Sequence, residues 1–236
     1  EGKAMHNVQN AMAAALVAFA QGIKLANIRQ GLLTFDTSYF QAPGRLNVFN
    51  ELPFKVILDY AHNPAAVQCM VDLVQRMDVS GDRVCVISAP GDRRDEDILQ
   101  TARIAAHGPF DHIVVRRDDS RRGRGDDEVP QMLRQGLLES GFDANRITLI
   151  VDESEALEYA LKRCGRGDLL ICFGDNISRC WKQIVSFKEG MENEPADSST
   201  EASLQDVSSD FGTELLGDTQ LIADSRGVRL ARELSD

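Results

Sequence analysis

Residues 55–74, KVILDYAHNPAAVQCMVDLV, pass from a short apolar run into a polar loop and then into an amphipathic helix pattern. A second stretch of the same design, RVCVISAPGDRRDEDI at residues 83–98, follows within ten residues. Apolar runs of this kind are typical of buried parallel strands. Because ligands of open α/β sheets bind beyond the carboxyl ends of such strands, the polar loops are candidate ligand-binding segments.

The pattern of a strand followed by a helix recurs from residue 45 to residue 187. Short connections in such an alternation favour a parallel sheet that helices cover on both faces. The predicted fold class is therefore α/β, with a doubly wound, mostly parallel, Rossmann-like sheet and flanking helices. The predicted strands are residues 46–49, 56–59, 84–88, 112–115, 147–151 and 169–173. The predicted helices of this region are residues 64–77, 96–106, 127–140, 153–164 and 177–187.

Composition divides the chain into three segments. Residues 1–43 hold two predicted helices, at 6–22 and 26–33, and end at the turn-forming pair Pro43-Gly44. Residues 44–188 hold the α/β pattern. Residues 189–236 are acidic, rich in serine and nearly free of aromatic side chains, so we predict that this tail is disordered. Its end, from residue 221 onward, has the composition of a short amphipathic helix.

The net charge of −11 is concentrated in the tail. From Met191 onward eleven acidic and three basic residues give −8, which leaves −3 on the other 190 residues. A nearly neutral body lacks the basic surface that nucleic-acid binding requires, and no apolar run is long enough to span a bilayer. The five cysteines form no CxxC pair, which favours a reducing compartment. We therefore expect a cytoplasmic protein with small-molecule ligands and no nucleic-acid or membrane partner.

Three motifs together carry a family resemblance. HNVQNAMAAALVAFAQG at 6–22, PGRLNVF at 43–49 and VILDYAHNP at 56–64 resemble the junction between the central and C-terminal domains of the Mur ligases. APGDRRDEDI at 89–98 and RRDDSRRGRGD at 116–126 are similar to the cyanophycin synthetase branch of that superfamily. The resemblance implies that residues 1–43 are the last helices of a truncated central ATP-binding domain and that residues 44–188 are the C-terminal α/β domain.

The resemblance also implies a chemistry. These ligases use ATP to convert a carboxylate into an acyl phosphate, which the amine of an incoming amino acid attacks. The cyanophycin branch joins aspartate and arginine into a polymer. The phosphate-binding motif GxxxxGK[ST] is absent from the 236 residues, and the Mg²⁺ ligands belong to the central domain. We therefore expect no metal ligand in this chain, no activity of the chain alone, and a homo-oligomer for the full-length enzyme.

Three alternatives stay open at this point. One is a relative that polymerises ready-made aspartyl-arginine dipeptides from a primer. Another is a different ligase of the Mur or folylpolyglutamate type, against which the GDRRDED segment at 91–97 argues. The third, from another class, is a module that binds a nucleotide or an amino acid without turnover. The missing phosphate-binding motif is the best support for that third alternative.

The resemblance assigns nucleotide contacts to residues near the domain junction. Amide side chains on the first helix match the residues that contact adenine, because an amide offers a donor and an acceptor to a purine edge. An arginine at the hinge suits phosphate or ribose, and a strand-end aspartate suits ribose hydroxyls. Helix capping, a surface ion pair and a structural histidine are the competing interpretations. The assigned residues are Asn7, Asn10, Arg45, Asp59, His62 and Asn63.

Two loops carry the candidate substrate-binding residues. The first holds adjacent acids and arginines that suit a carboxylate or the paired charges of the polymer, and the second suits free arginine. In the second loop an aspartate would receive the guanidinium and an arginine would hold the carboxylate. The alternatives are a helix start, where acids favour the helix dipole although arginines do not, and a mobile charged loop. The candidates are Asp92, Arg93, Arg94, Asp95, Asp118, Asp119, Arg121 and Arg124.

Overall fold

The computed structural model describes residues 2–193, 221–224 and 227–230. Residues 1–194 form one compact unit and residues 195–236 a second. The helices of the first unit are α1 Met5–Ala20, α2 Leu25–Thr34, α3 Pro64–Gln75, α4 Asp95–Ala106, α5 Glu128–Glu139, α6 Glu153–Arg163 and α7 Ile177–Asn193. Its strands are β1 Asn47–Phe49, β2 Lys55–Asp59, β3 Arg83–Ile87, β4 His112–Val115, β5 Ile147–Leu149 and β6 Leu169–Phe173.

The six strands form one sheet in the order β1-β2-β6-β3-β4-β5. Strand β1 runs antiparallel to β2, and all other neighbours are parallel. This confirms the predicted doubly wound, mostly parallel sheet. Because β6 is inserted between β2 and β3, the carboxyl ends of β2, β6, β3 and β4 are neighbours along one edge of the sheet.

Alternation along each strand builds two apolar layers. Ile57, Ile87 and Ile113 face the layer that contains α3, α4 and α5. Leu58, Val86 and Val114, each one residue away, face the layer that contains α6 and α7. Successive side chains of a strand point to opposite faces, so strands that are apolar throughout require helices on both sides. The sheet is therefore buried between two helical layers.

The C-terminal region differs from the prediction in two places. Helix α7 continues to Asn193, six residues past the predicted end at 187. Residues 221–224 and 227–230 form an antiparallel pair, β7 Leu221–Asp224 with β8 Gly227–Leu230, so the helix expected there is wrong. Two residues separate the strands, a length typical of hairpins, and Gly227 disfavours a helix. The predicted disorder of the tail concerns residues that otherwise lie outside the described ones.

Helices α1 and α2 differ from the other helices because neither contains a buried residue. Several of their large apolar side chains are more than 60% exposed. Alanine-rich helices form readily on propensity alone, but an apolar surface of this extent is uncommon on a free surface. The most exposed of these side chains are Met12, Leu16, Val17, Phe19, Leu25 and Leu33.

Candidate functional site

Asp59 ends β2 and lies partly buried at the carboxyl edge of the sheet. Its Oδ2 accepts a hydrogen bond of 2.8 Å from the backbone amide of Leu46. Burial raises the pKa of Asp59, and hydrogen bonds from the Leu46 and Ala61 amides act in the opposite direction. The next helix, α3, is capped by Asn63, whose Oδ1 accepts from the Ala66 amide at 2.9 Å. The alternative in which Asp59 caps α3 is therefore wrong.

Arg45, Tyr60 and His62 form a small group beside Asp59. The Arg45 guanidinium lies over the Tyr60 ring, 5.8 Å from its centroid. The His62 ring packs against the same tyrosine, and its Nδ1 lies 2.8 Å from the Tyr60 carbonyl oxygen. Arg45 is exposed and makes no ion pair within the described residues, so its guanidinium is available to an anion.

Asn7 and Asn10 lie one turn apart on α1, and the Asn10 amide donates to Asn7 Oδ1 at 3.4 Å. The N-cap of α1 is Ala4, so neither asparagine caps the helix. Asn7 lines a cavity of about 810 Å³ that Leu46 also lines. The structure therefore brings Asn7 toward the segment that binds Asp59, while Asn10 is exposed.

Asn47 is fully buried and organises the segment that joins α2 to the sheet. Its Oδ1 accepts from the Gly44 amide at 2.7 Å, and its Nδ2 donates to the Thr37 and Ala42 carbonyls at 2.8 and 2.9 Å. Gly44 has φ +70, the left-handed region that glycine favours. Sequence reasoning missed Asn47, although a polar residue between Leu46 and Val48 in a strand pattern signals a buried hydrogen-bonding role.

The same segment is attached to α7 by an aromatic stack. The Tyr39 ring lies parallel to the Trp181 ring, with 4.7 Å between centroids and 3° between planes. The Phe49 ring also packs edge-on against the Trp181 ring, with 5.7 Å between the ring centroids. Trp181 therefore has a packing role, and it connects the segment before β1 to the α/β domain.

Arg94 pairs with acidic residues of the helix that it precedes. Its Nε and Nη2 donate to Asp97 at 2.9 and 3.0 Å, and its Nη1 lies 3.7 Å from Glu96. Arg94 is the N-cap residue of α4, whose first turn carries Asp95, Glu96 and Asp97. The acids therefore meet the helix dipole as the alternative interpretation requires, and they also neutralise Arg94.

Arg124 joins the two candidate loops. Its Nε and Nη2 donate to the carbonyls of Gly91 and Arg93 at 2.7 and 2.8 Å. Its guanidinium also pairs with Asp95 at 2.6 Å and with Glu128 at 2.7 Å. The guanidinium donates to four different groups and so fixes the loop after β4 against the loop after β3. Arg124 is therefore not free to bind a substrate.

The remaining arginines of the two loops divide into paired and unpaired ones. Arg122 pairs with Asp92 at 2.9 Å, and Arg121 pairs with Asp126 at 3.2 Å. Arg93 has no hydrogen bond or ion pair from its side chain within the described residues, and its Nε is buried. Arg93 is therefore the arginine of the first loop whose guanidinium is free to bind a carboxylate.

A buried ion pair lies directly beneath the second loop. Arg116 follows β4, is 0% exposed, and places Nη2 at 2.8 Å from Glu153, which is 1% exposed. The same guanidinium donates to the Phe173 carbonyl and approaches Asp118 Oδ1 at 3.3 Å. Asp118 Oδ1 also accepts from the Ser88 hydroxyl at 2.6 Å. The ends of β3, β4 and β6 and the start of α6 thus meet at Arg116.

Glu153 also binds the beginning of α7. The amides of Asp175 and Asn176 donate to its two oxygens at 2.6 and 3.2 Å. Arg179 donates to Glu153 and, at 2.8 Å, to Asp119 Oδ1. Asp175 in turn accepts from the Asp119 amide at 3.0 Å. The two aspartates of the second loop are therefore each connected to Glu153 through one arginine.

The pKa values of these acids differ because their surroundings differ. Burial raises the pKa of Asp118 more than the charge of Arg116 lowers it. The hydrogen bond from Arg179 holds the pKa of Asp119 below its usual range. Burial is the largest influence on Glu153 and acts upward, but Arg116, two amides and Arg179 together lower its pKa. Asp118 is thus the acid whose negative charge is compensated least.

Sequence reasoning missed Arg116, Glu153, Arg179, Ser88 and Asp175. One signal for Arg116 was present, because Val114 faces the α6–α7 layer and the residue two further along faces the same side. A charged side chain that continues the buried face of a strand needs an ionic partner. Nothing in the pattern identified Glu153 as that partner, since an acid in the first turn of a helix is common.

The described residues offer neither a metal-binding cluster nor a membrane-spanning helix. The described residues contain no group of three or more His, Cys, Asp or Glu side chains arranged to hold a metal ion. The donor set therefore does not fit Mg²⁺, whereas the exposed Arg45, the amides of Asn7 and Asn10 and the Asp59 carboxylate suit a nucleotide. None of the described helices is both long and apolar enough to cross a membrane.

Comparison with known proteins agrees with the motif resemblance. A family model described as "Mur ligase, glutamate ligase domain" matches residues 44–176. The cyanophycin synthetase of Crocosphaera subtropica is 40% identical over 178 residues, which cover 75% of this chain and 20% of that protein. The cyanophycin synthetase of Synechocystis is 38% identical over 187 residues, which cover 79% and 21%. The chain spans about a fifth of the length of these curated relatives.

Solved structures share the fold. A UDP-N-acetylmuramate-alanine ligase from Thermotoga maritima superposes with a TM-score of 0.56 at 18% identity, over 78% of this chain and 38% of that one. A UDP-N-acetylmuramoyl-L-alanyl-D-glutamate--2,6-diaminopimelate ligase superposes with a TM-score of 0.55 at 22% identity, over 79% and 39%. This chain therefore shares its fold with part of each of these structures.

Proposed function

The chain belongs to the Mur ligase family through its glutamate ligase domain, and on that premise we propose that it is the C-terminal lobe of an ATP-dependent amide ligase that polymerises aspartate and arginine into cyanophycin. The identity of 40% with a cyanophycin synthetase supports this assignment. One structural observation carries it further. The buried Asp118 and the unpaired Arg93 lie on two loops that hydrogen bond to each other, and a free amino acid brings the two opposite charges.

The nucleotide side of the proposed site is the end of β2. Arg45 supplies an exposed cation for the phosphates, and Asp59 supplies a carboxylate for the ribose hydroxyls. Asn7 and Asn10 supply amides for the adenine edge. His62 borders this group through Tyr60. Asn63 is occupied by its cap on α3 and contributes to the shape of the loop rather than to a contact.

The amino-acid side is the edge formed by the loops after β3 and β4. Asp118 receives the guanidinium of arginine, and Arg93 receives a carboxylate. Asp119 lies next to Asp118 but already pairs with Arg179. The other candidates have partners within the loops, and they hold the loops in place. They are Asp92, Arg94, Asp95, Arg121 and Arg124.

In the proposed reaction ATP is a substrate that activates a carboxylate as an acyl phosphate. The residues of this chain bind and orient the nucleotide and the incoming amino acid. A second lobe that closes over them excludes water from the reactive intermediate. The absence of GxxxxGK[ST] from the chain and the lack of a Mg²⁺ donor set in the described residues support our proposal that the chain alone is inactive.

Helices α1 and α2 belong to the central ATP-binding domain in this proposal. Their exposed apolar side chains then pack against the rest of that domain, which accounts for the absence of buried residues in either helix. We accordingly propose residues 1–43 as the end of the central domain, residues 44–188 as the C-terminal domain, and residues 189–236, of which 189–193 continue α7, as an appended tail.

Phosphate release by the natural full-length protein tests the proposal. With ATP, Mg²⁺ and an aspartyl-arginine primer, we expect sustained release only when aspartate and arginine are both supplied. Release with β-aspartyl-arginine dipeptide alone would instead identify the dipeptide polymerase. No release under any condition, from a folded protein that binds ATP, would contradict the cyanophycin assignment and favour a binding module.

Replacing Arg93 by alanine is expected to raise about tenfold the KM for the amino-acid substrate whose carboxylate Arg93 binds, because a charge-assisted hydrogen bond to that carboxylate is lost. The KM for ATP should not change. Arg94→Ala, the matched comparison, removes a guanidinium that Asp97 already holds and is expected to change that KM by less than about twofold. Equal effects of the two substitutions would show that Arg93 does not select the carboxylate.

A further inference from the structure

Glu153 is the point at which the arginines beneath the second loop converge. It is the first residue of α6, its side chain is 1% exposed, and two backbone amides donate to its oxygens. Those amides hold the carboxylate in one orientation. Arg116 and Arg179 approach it from different elements, one at the end of β4 and the other on α7.

Each of these arginines also contacts one of two consecutive aspartates. Arg116 approaches Asp118 Oδ1 at 3.3 Å, and Arg179 donates to Asp119 Oδ1 at 2.8 Å. The shorter contact of Arg116 is with Glu153, at 2.8 Å. Glu153 therefore competes with Asp118 for Arg116 and takes the closer position.

The charges of this cluster do not balance. Arg116 and Arg179 supply two positive charges, while Glu153, Asp118, Asp119 and Asp175 supply four negative ones. A carboxylate in a site that excludes water is strongly affected by each neighbouring charge. Without the negative charge of Glu153, Arg116 would be free to pair fully with Asp118, and an arriving cation would find a smaller excess of negative charge.

The free acceptor is also identifiable. Within the part of the chain that the structure describes, both side-chain contacts of the Asp118 carboxylate go to Oδ1, one from Ser88 and one from Arg116. Its Oδ2 accepts no hydrogen bond from that part of the chain and is not among the buried atoms that lack a partner. Oδ2 is therefore the acceptor that remains free for a ligand. The pKa of Asp118 is raised by burial despite Arg116, which agrees with incomplete compensation of its charge.

We propose that Glu153 is a positioning residue for substrate recognition: it holds Arg116 away from full pairing with Asp118, so that Asp118 can bind the guanidinium of arginine. This inference rests on the proposed function, in which Asp118 receives that guanidinium. Glu153 itself does not touch the substrate. Its effect passes through Arg116 to Asp118, and it provides charge selection for an incoming cation rather than chemistry at the reacting atoms.

Glu153→Gln in the full-length protein tests the inference. We expect the KM for arginine, or for aspartyl-arginine dipeptide, to rise about tenfold, which corresponds to the coupling typical of one ionic network. The kcat and the KM for ATP should stay unchanged, whereas a merely structural role would lower kcat through loss of folded enzyme. Glu158→Gln is the matched control, because Glu158 is an exposed acid on the same helix and its only ion pair among the described residues is with Lys162.

A double-mutant cycle with Asp118→Asn makes the test specific. If Glu153 acts through Asp118, the variant with both substitutions has the same KM for arginine as Asp118→Asn alone. Additive effects, or an unchanged KM in Glu153→Gln, would overturn the inference. If the glutamine variant does not fold, Glu153→Asp replaces it in the same cycle, because it keeps the charge and shortens the reach to Arg116. A wild-type protein that shows no arginine-dependent turnover would instead refute the proposed function.

Discussion

Replacing Arg116 by methionine is expected to lower the free energy of unfolding by about 3–5 kcal/mol, the range for breaking a buried pair by removing one partner. The side chain is 0% exposed, and Glu153 at 2.8 Å would keep a buried negative charge with one counter-ion fewer. The Phe173 carbonyl would also lose its donor. Urea unfolding of the 236-residue chain, followed by circular dichroism, measures the change.

Two further variants separate this effect from a general loss of arginine. Arg94→Met removes an arginine that is 74% exposed and is expected to leave the unfolding midpoint unchanged. Combining Arg116→Met with Glu153→Gln removes both charges of the buried Arg116–Glu153 pair and should recover most of the lost stability. A double variant as unstable as Arg116→Met alone would contradict the view that the orphaned charge of Glu153 causes the loss.

Replacing Asn47 by alanine is expected to lower the free energy of unfolding by about 3 kcal/mol, because one buried and two partly buried backbone groups lose their hydrogen bonds. Those groups are the Gly44 amide and the carbonyls of Thr37 and Ala42. Methionine or leucine would leave the same groups unpaired and add volume. Chemical denaturation of the same chain, monitored as for Arg116, measures the loss.

Tryptophan fluorescence gives a second readout for Asn47→Ala. The chain has one tryptophan, Trp181, and Tyr39 stacks on it at 4.7 Å. Release of the segment around residue 42 should separate the two rings and shift the emission to longer wavelength before global unfolding. Asn50→Ala, at an exposed position three residues further along, is expected to change neither readout. A native emission spectrum in Asn47→Ala would show that the stack does not depend on Asn47.

The strands and helices of the α/β domain were predicted within a few residues of their observed bounds. Apolar runs such as Val56–Ile57–Leu58 identify buried strands because a strand covered on both faces has no polar positions. Pro64 suits the first turn of a helix, and α3 begins there. The antiparallel direction of β1 and the place of β6 between β2 and β3 were not predicted, because long-range pairing leaves no trace in local periodicity.

The sequence predicted where the candidate site residues lie on the sheet, but not which of them pair with each other. Asp59 is the last residue of β2, and Asp118 lies in the loop after β4. The carboxyl ends of these parallel strands lie at the same edge of the sheet. Which acids and arginines pair could not be inferred, since Arg93 and Arg94 are adjacent and alike in sequence. In the structure Asp97 holds Arg94, whereas Arg93 has no side-chain partner among the described residues.

The sequence by itself therefore determined the α/β fold class, the edge of the sheet at which the candidate site residues lie, and the resemblance to the Mur ligases. These follow from patterns within about twenty residues, such as the alternation of apolar runs and amphipathic helices. Only the tertiary structure decided that Asn47 anchors the segment before β1 and that Glu153 connects Arg116 with Arg179. Ionic and hydrogen-bond partners depend on distances of a few ångströms between residues far apart in the chain, and those distances exist only after the sheet has assembled.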